Sequence, residues 1–178
     1  SLRDNLLEEI HLVMVKLSPL ADVSLVGGSL GDCVREFHIV EADGECKELL
    51  AVMDRDFHGR YSIFVHNGQA VISFSPEEEK AAVPVFPEKL SLNGWSHLFR
   101  PGPALAKAGM FRQLCSRYGL CKLGQSTHLY FSDRSEEELL PLGSFHKISE
   151  VTRLTKSSLK ETGRRPPRAT VVARNRLA

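Results

Sequence analysis

The first part of the chain alternates between two hydrophobic periods. "LRDNLLEEI" has the spacing of an amphipathic helix, and "HLVMVKL" has the apolar character of a buried strand that ends at Ser18-Pro19. "VREFHIV" predicts a second strand. "ECKELLAVM" predicts a helix, because Cys46, Leu49, Leu50 and Met53 stand at i, i+3, i+4 and i+7. We therefore expect an α/β unit up to about residue 57.

The next segment has the period of a β-hairpin. In "GRYSIFVHNGQAVISF" apolar and polar residues alternate on either side of Asn67-Gly68, a pair typical of tight hairpin turns. The stretch "SPEEEKAAVPVFPEK" follows, and Pro84 and Pro87 would interrupt any long helix there. We interpret it as a connection around one short strand or turn.

"RPGPALAKAGMFRQLCSRYGL" predicts a single long helix. Pro103 suits its first turn and Gly119 its C-terminal cap. One face of this helix would be apolar, with Ala104, Ala108, Phe111, Cys115 and Tyr118. Lys107 would lie on the remaining surface.

"KLGQSTHLYFSD" predicts a strand whose two faces differ. One face would carry Thr127, Leu129 and Phe131, and the other His128, Tyr130 and Ser132. An imidazole, a phenol and a hydroxyl together could stack on or hydrogen-bond RNA bases. The ordinary alternative is a half-buried strand with polar residues in solvent, and the residues alone favour that alternative.

The last part of the chain is basic. Residues 147–178 contain nine Lys or Arg against two Glu, which gives +7, so the total of +1 leaves −6 for residues 1–146. "FHKISEV" predicts a strand, a short helix is expected after Thr155, and "GRRPPR" predicts a loop that carries Arg164, Arg165 and Arg168. Such a basic segment either binds a polyanion or is a solvated tail, and charge alone leaves both open.

The glycine-rich stretch "VGGSLGD", residues 26–32, raises the question of a nucleotide or S-adenosylmethionine loop. Such a site needs a glycine turn, a following helix and an acid after the next strand. The strand "VREFHIV" begins too soon after Gly31 to leave room for that helix. We therefore expect an ordinary turn between secondary-structure elements.

Composition limits the remaining classes of function. The chain has 178 residues, of which 42% are hydrophobic, and can bury a core. Its four cysteines and seven histidines show no metal-ligand spacing, so we expect buried thiols and no metal. We also expect no membrane span and a cytoplasmic location. Because the chain begins with Ser1, we expect it to be a piece of a longer protein.

Five stretches in order carry a family resemblance: "MVKLSPLAD", "EFHIVEADGECKELL", "RPGPALAKAGMFRQL", "KLGQSTHLYFSD" and the final "ARN". Together they resemble the C-terminal part of bacterial class I S-adenosylmethionine-dependent methyltransferase-like proteins with ferredoxin-like and THUMP-like domains. The resemblance spans nearly the whole chain. Lys16, Ser18, Pro19 and Asp22 match the turn after a late strand of the methyltransferase sheet, and Glu45, Cys46, Lys47 and Glu48 match the helix after it.

The resemblance implies three structural parts. Residues 1–57 would form the tail of a Rossmann-like methyltransferase sheet, residues 58–140 a ferredoxin-like domain and residues 141–178 a THUMP-like domain, so the fold class would be α/β followed by α+β. S-adenosylmethionine would bind in the intact parent, upstream of this chain. The free edge of the truncated sheet could form a dimer.

The resemblance also implies a function. The parent would methylate RNA, either tRNA or rRNA, and this chain would bind the RNA without catalytic residues of its own. The RNA-facing set would be Lys107, Lys122, His128, Tyr130, Arg164, Arg165, Arg168 and Arg174. The alternative from another class is a non-catalytic interaction or scaffold module, whose basic end docks on an acidic protein.

Overall fold

Two β-sheets and the short helices packed on them form the structure, a computed structural model that describes residues 2–68, 70–87, 95–149, 155–157 and 160. The helices are α1 (Leu2–Glu9), α2 (Val23–Leu30), α3 (Pro76–Ala81), α4 (Pro103–Ala108) and α5 (Gln113–Tyr118). The strands are β1 (Leu12–Leu17), β2 (Val34–Ala42), β3 (Glu45–Asp54), β4 (Ser62–Asn67), β5 (Ala70–Phe74), β6 (His97–Pro101), β7 (Cys121–Lys122), β8 (Tyr130–Ser132) and β9 (Gly143–Lys147). A 3₁₀-helix, Glu137–Leu142, precedes β9. The fold is thus a mixture of α and β, as expected.

The first sheet has the strand order β1-β3-β2-β4-β5. All neighbours in it are antiparallel except β2 and β4, which are parallel. Since β1 and β2 are both antiparallel to β3, they run parallel to each other, and α2 connects them. Strand β4 pairs with β2, so the first sheet includes strands from both sides of the boundary expected after residue 57. The three domain ranges stay predictions.

The core lies between this sheet and the helices. Phe37, Ile39 and Leu49 are fully buried on one face of the sheet, and α4 packs on β2, β3 and β4. The other face of the sheet points away from that core, and on it Leu12 and Met14 of β1 are 52% and 61% exposed. The strand β1 is therefore present but half-buried, so the prediction of a strand is confirmed and that of its burial was wrong.

The helix predicted for "ECKELLAVM" is in fact strand β3. Asp43 and Gly44 adopt left-handed backbone conformations, with φ of 54° and 72°, and turn β2 back into β3. Leu49, Ala51 and Met53 then alternate inward with period two. Glu45 to Glu48, matched by resemblance to a helix, therefore lie in this strand. Helical spacing of apolar residues was ambiguous here, and the Asp-Gly turn decided between the two structures.

The glycine-rich stretch also differs from expectation, because residues 23–30 form helix α2 instead of a turn. Asp22 caps the helix by accepting a hydrogen bond from the backbone N–H of Leu25 at 2.9 Å, and Gly31, with φ of 84°, ends it. A Cβ at Gly27 would lie 2.7 Å from Cε1 of Tyr61. Glycine therefore permits this helix to pack directly on the tyrosine ring.

The hairpin prediction is confirmed by β4 and β5, with Gly68 at φ of 59° between them. The connection after it contains a helix that was not predicted, α3. Ser75 and Glu78 form a reciprocal capping box, in which each side chain accepts a hydrogen bond from the other residue's backbone N–H. Pro84 and Pro87 favoured a connection, so the Ser-x-x-Glu pattern did not lead to the prediction of a helix.

The second sheet has the order β7-β8-β6-β9, with all pairs antiparallel. The long helix predicted from residue 103 is divided into α4 and α5, because Gly109 takes a left-handed conformation with φ of 78°. Pro103 and Gly119 stand at the helix start and end as predicted. The strand expected around "FHKISEV" is confirmed as β9, whereas the short helix after Thr155 lies largely outside the described residues.

Glu41 joins the first sheet to helix α4. Its carboxylate is buried at the end of β2 and accepts a hydrogen bond from the backbone N–H of Ala104, in the first turn of α4, at 2.9 Å. Asn67 of β4 donates to the carbonyl of Pro141 at 2.6 Å. These contacts fix α4 and the 3₁₀-helix on the first sheet. Among the described residues, no helix has the length and apolar character that crossing a bilayer requires.

Candidate nucleic-acid interface

The structure places four of the eight predicted RNA-facing residues near one residue, Phe111. The ring of His128 stacks on the Phe111 ring, with centroids 3.8 Å apart and planes inclined by 18°. The Nζ of Lys122 lies 5.9 Å from the centroid of the same ring. The hydroxyl of Tyr130 donates to the Phe111 carbonyl at 3.0 Å. Phe111 also lines a cleft together with Lys107.

The two faces predicted for the strand from 122 to 133 are not present. Only Tyr130–Ser132 form strand β8, and all three of these residues are buried. Tyr130 is fully buried, and burial raises its pKa, so its hydroxyl stays protonated as a hydrogen-bond donor. In this position Tyr130 supports Phe111 from the core side and presents no surface to an RNA base.

Lys122 is also largely buried, at 8% exposure, and its Nζ donates to the carbonyl of Gln125 at 3.0 Å. Lys107 and His128 are half-buried and reach the surface. Of the predicted set, these two have the accessible side chains that phosphate or base contact requires. Arg164, Arg165, Arg168 and Arg174 lie outside the described residues. RNA binding by all eight stays a prediction.

The cleft beside Phe111 has a volume of about 340 Å³ and lies where α2, β4, α3 and α4 meet. The polar residues that line it at the start of α2 and β4 are Asp22, Ser24 and Tyr61. Glu79 of α3 and Lys107 of α4 line it as well. Burial raises the pKa of Tyr61, although its hydrogen bond with Ser24 opposes this shift. The cleft is therefore lined by polar side chains as well as rings.

Glu79 holds the segment between α4 and α5 in place. Its carboxylate accepts hydrogen bonds from the backbone N–H groups of Phe111, Arg112 and Gln113 at 3.1, 2.7 and 3.0 Å. Three N–H groups at the start of α5 are thus satisfied by one carboxylate from α3. Sequence reasoning missed both Glu79 and the central position of Phe111, because the contact joins residues more than thirty positions apart.

A second polar cluster lies on the first sheet, on neighbouring strands β2 and β4. His38 Nδ1 is 2.9 Å from His66 Nε2, and His38 Nε2 is 3.1 Å from Glu36 Oε2. Phe64 stacks on His38 with ring centroids 4.9 Å apart. Because a carboxylate can only accept, a proton of His38 lies on Nε2, and whether His38 Nδ1 or His66 Nε2 donates between the two rings depends on the charge of His38. Burial, followed by the charge of His38, lowers the pKa of His66.

Metal ligands and reactive thiols are two further possible features of the described residues. Within the described ranges no three His, Cys, Asp or Glu side chains are arranged to hold a metal ion. The four cysteines are free thiols, three of them buried and Cys46 half-buried. Burial raises the pKa of Cys46, Cys115 and Cys121, so these thiols are weak nucleophiles.

Comparison with known proteins gives two similarities. A family model for a ferredoxin-like domain matches residues 97–139, which include α4, α5 and the whole cluster around Phe111. The solved structure of a "putative methyltransferase" from Porphyromonas gingivalis W83 is 29% identical, has a TM-score of 0.81, and matches 94% of this chain and 42% of its own chain. This chain thus spans less than half the length of that protein. Among curated proteins, none matches.

Proposed function

We propose that this chain is the C-terminal part of a cytoplasmic S-adenosylmethionine-dependent RNA methyltransferase and that it binds and positions the RNA. The observation that carries the proposal is the similarity to the P. gingivalis protein at 29% identity over 94% of this chain. At that identity and with a TM-score of 0.81, the two chains share an arrangement of elements and a substantial part of their sequence.

The order of the first three strands supports a Rossmann-like tail in residues 1–57. Strands β1 and β2 run parallel and are connected through helix α2, which is the βαβ connection of α/β sheets. Strand β3 is inserted between them in the opposite direction. Two parallel strands with one antiparallel strand between them would fit the end of a methyltransferase sheet. The ferredoxin-like match and a THUMP-like domain in residues 141–178 would follow it.

S-adenosylmethionine would supply the methyl group in the intact parent, but the described residues do not fit this cofactor. The glycines that could have formed a cradle belong to helix α2, and the Tyr61 ring covers Gly27. A backbone approach to a ligand is therefore blocked at that point. We derive no methyl-transfer step from this chain and expect it to be inactive alone.

RNA is the substrate class that the charges favour. The basic segment from residue 147 has a net charge of +7, and near Phe111 the side chains of Lys107 and His128 reach the surface. Cations release counterions from phosphates, and rings stack on unpaired bases. The cluster lies inside the ferredoxin-like match, so that domain would contribute to RNA binding beside the arginines of the basic segment.

The test is RNA binding over a salt series with a charge-matched pair of variants. In the first variant Arg164, Arg165 and Arg168 are changed to Gln. In the control the exposed residues Lys47, Arg55 and Arg60 are changed to Gln, which removes the same charge. If the three arginines contact phosphates, the slope of log K against log salt falls by about 2 in the first variant and little in the control. Equal slopes in both variants would contradict the proposal.

The scaffold alternative is separated by competition. An acidic polypeptide of the same charge and length as the RNA probe is added to the complex. If RNA is the ligand, excess acidic polypeptide displaces little of it at physiological salt, because rings and guanidinium groups recognise more than charge. Displacement at equal charge concentrations would favour docking on an acidic protein instead.

A further inference from the structure

The cleft beside Phe111 has one cation and two carboxylates, but the carboxylates are already paired. Asp22 accepts the hydrogen bond that caps α2, and Glu79 accepts three backbone N–H groups at the start of α5. Helix N-termini carry partial positive charge, which compensates both carboxylates. Lys107 forms no ion pair with any residue that the structure describes. Lys107 is therefore the cation of the cleft lining that an entering anion could pair with.

The walls of the cleft provide for the rest of a ligand. Phe111 and Tyr61 supply aromatic surface, and Ser24 supplies a hydroxyl at the start of α2. A volume of about 340 Å³ is within the range of about 300 to 1,000 Å³ in which small-molecule sites are found. The His128 ring stacks on the Phe111 ring, and the Tyr130 hydroxyl donates to the Phe111 backbone carbonyl. The aromatic wall is thus preorganised.

We propose that this cleft binds one nucleotide of the RNA, with the phosphate on Lys107 and the base against Phe111. The inference rests on the proposed function, since it takes the nucleotide to be part of a bound RNA. It adds a site to that function, because the basic segment from residue 147 binds backbone phosphates without selecting a nucleotide. The cleft would fix the register of the RNA on the protein.

The test is a titration of the isotopically labelled chain with each ribonucleoside 5′-monophosphate, followed at the backbone amides of Ser24 and Gly109. Both residues line the cleft. Saturable shifts are expected with a monophosphate up to about 10 mM, and weaker ones with the nucleoside or with inorganic phosphate. Absence of saturable shifts, or phosphate that binds as tightly as the nucleotide, would overturn the inference.

Variants assign the site within the cleft. Lys107→Gln is expected to weaken the nucleotide by about tenfold through loss of a charge-assisted contact. Ala106→Glu places a carboxylate on an exposed position that lines the cleft and should weaken it similarly. Ser116→Glu adds the same charge to an exposed position on α5 outside the cleft and should have little effect. Equal effects of both glutamates would overturn the inference.

The titration is read beside RNA binding, so that the two proposals fail separately. RNA binding without nucleotide shifts would overturn the cleft site and leave the RNA function standing. Nucleotide shifts in a chain that binds no RNA would overturn the proposed function, and with it the assignment of the cleft to an RNA nucleotide. Far-ultraviolet circular dichroism of each variant verifies that the fold is unchanged.

Discussion

His38 and His66 cannot both be fully charged without repelling each other across the 2.9 Å that separates their nitrogens. Glu36 stabilises the proton on the far side of His38. His66 is thereby kept as the neutral partner, with a pKa lowered by burial and by His38. An arrangement of this kind fixes the side chains of two neighbouring strands only while one imidazole remains neutral.

Stability should therefore fall as the solution is acidified. A histidine whose pKa is lower in the folded than in the unfolded state takes up its proton more readily when unfolded. The contribution of neutral His66 to the free energy of unfolding is fully present above the unfolded pKa of about 6.5. It is lost as the pH falls through the lower pKa of the folded state. Urea denaturation between pH 8 and pH 5 measures this loss.

His66→Gln should reduce the dependence of the unfolding free energy on pH in this window, because the titrating group is gone. His146→Gln is the matched control, since His146 is exposed at the end of β9. Equal pH dependence in wild type and His66→Gln would show that the loss of stability at acid pH comes from other groups.

Helix α2 contains two adjacent glycines with different surroundings. Gly27 is buried under the ring of Tyr61, and that ring in turn packs edge-on against Phe37 at 4.9 Å. Gly28 is exposed, and a Cβ there would have no atom within 4 Å. Substitution by alanine at each position therefore separates two effects on stability. One is the helix propensity of alanine, and the other is the space available for its Cβ.

Gly28→Ala should stabilise the protein by up to about 1 kcal/mol, because alanine favours the helical backbone over glycine. Gly27→Ala receives the same benefit but displaces the Tyr61 ring, at a cost of about 1 to 3 kcal/mol. The two midpoints of thermal unfolding should move in opposite directions. A rise for both variants would mean that the ring moves aside freely and that the close approach does not matter.

Signals that are local in the chain predicted most of the elements, and contacts between distant residues decided the others. Asn67-Gly68 was sufficient for the hairpin, because the turn sets its own register. Asp43-Gly44 has the same signal, but a helical spacing of apolar residues outweighed it and concealed β3. Gly109 ends α4 through its left-handed backbone conformation, and no neighbouring atom requires a glycine there. The helical spacing on both sides of Gly109 therefore predicted one continuous helix.

The candidate site was predicted only in part for the same reason. Residue type indicated that Lys107 and His128 could contact RNA, and both are accessible. Tyr130 looked equivalent to His128 in the alternating pattern, yet β8 begins at Tyr130 and its ring is in the core. The stacking of His128 on Phe111 joins a loop to the segment between α4 and α5, and no sequence period contains that contact.

Strand β1 leaves one edge of the first sheet without a partner among the described residues. Large apolar side chains are concentrated beside that edge: Ile10, Leu12 and Met14 are between 47% and 61% exposed. An edge strand with an apolar flank pairs readily with another chain, unless a further part of the same protein covers it. In the P. gingivalis protein, more than half of the chain lies outside the match and could provide such a cover.

We expect this chain alone to associate with itself through β1, and sedimentation velocity across a concentration series measures it. Met14→Lys puts a charge on the exposed face of β1 and should shift the population toward monomer, because burying the ammonium group in the contact is costly. Val71→Lys is the matched control on β5, the opposite edge strand, where Val71 is 49% exposed. Dissociation by both variants would indicate nonspecific association of apolar surface, and a wild-type monomer at every concentration would show that this edge does not pair.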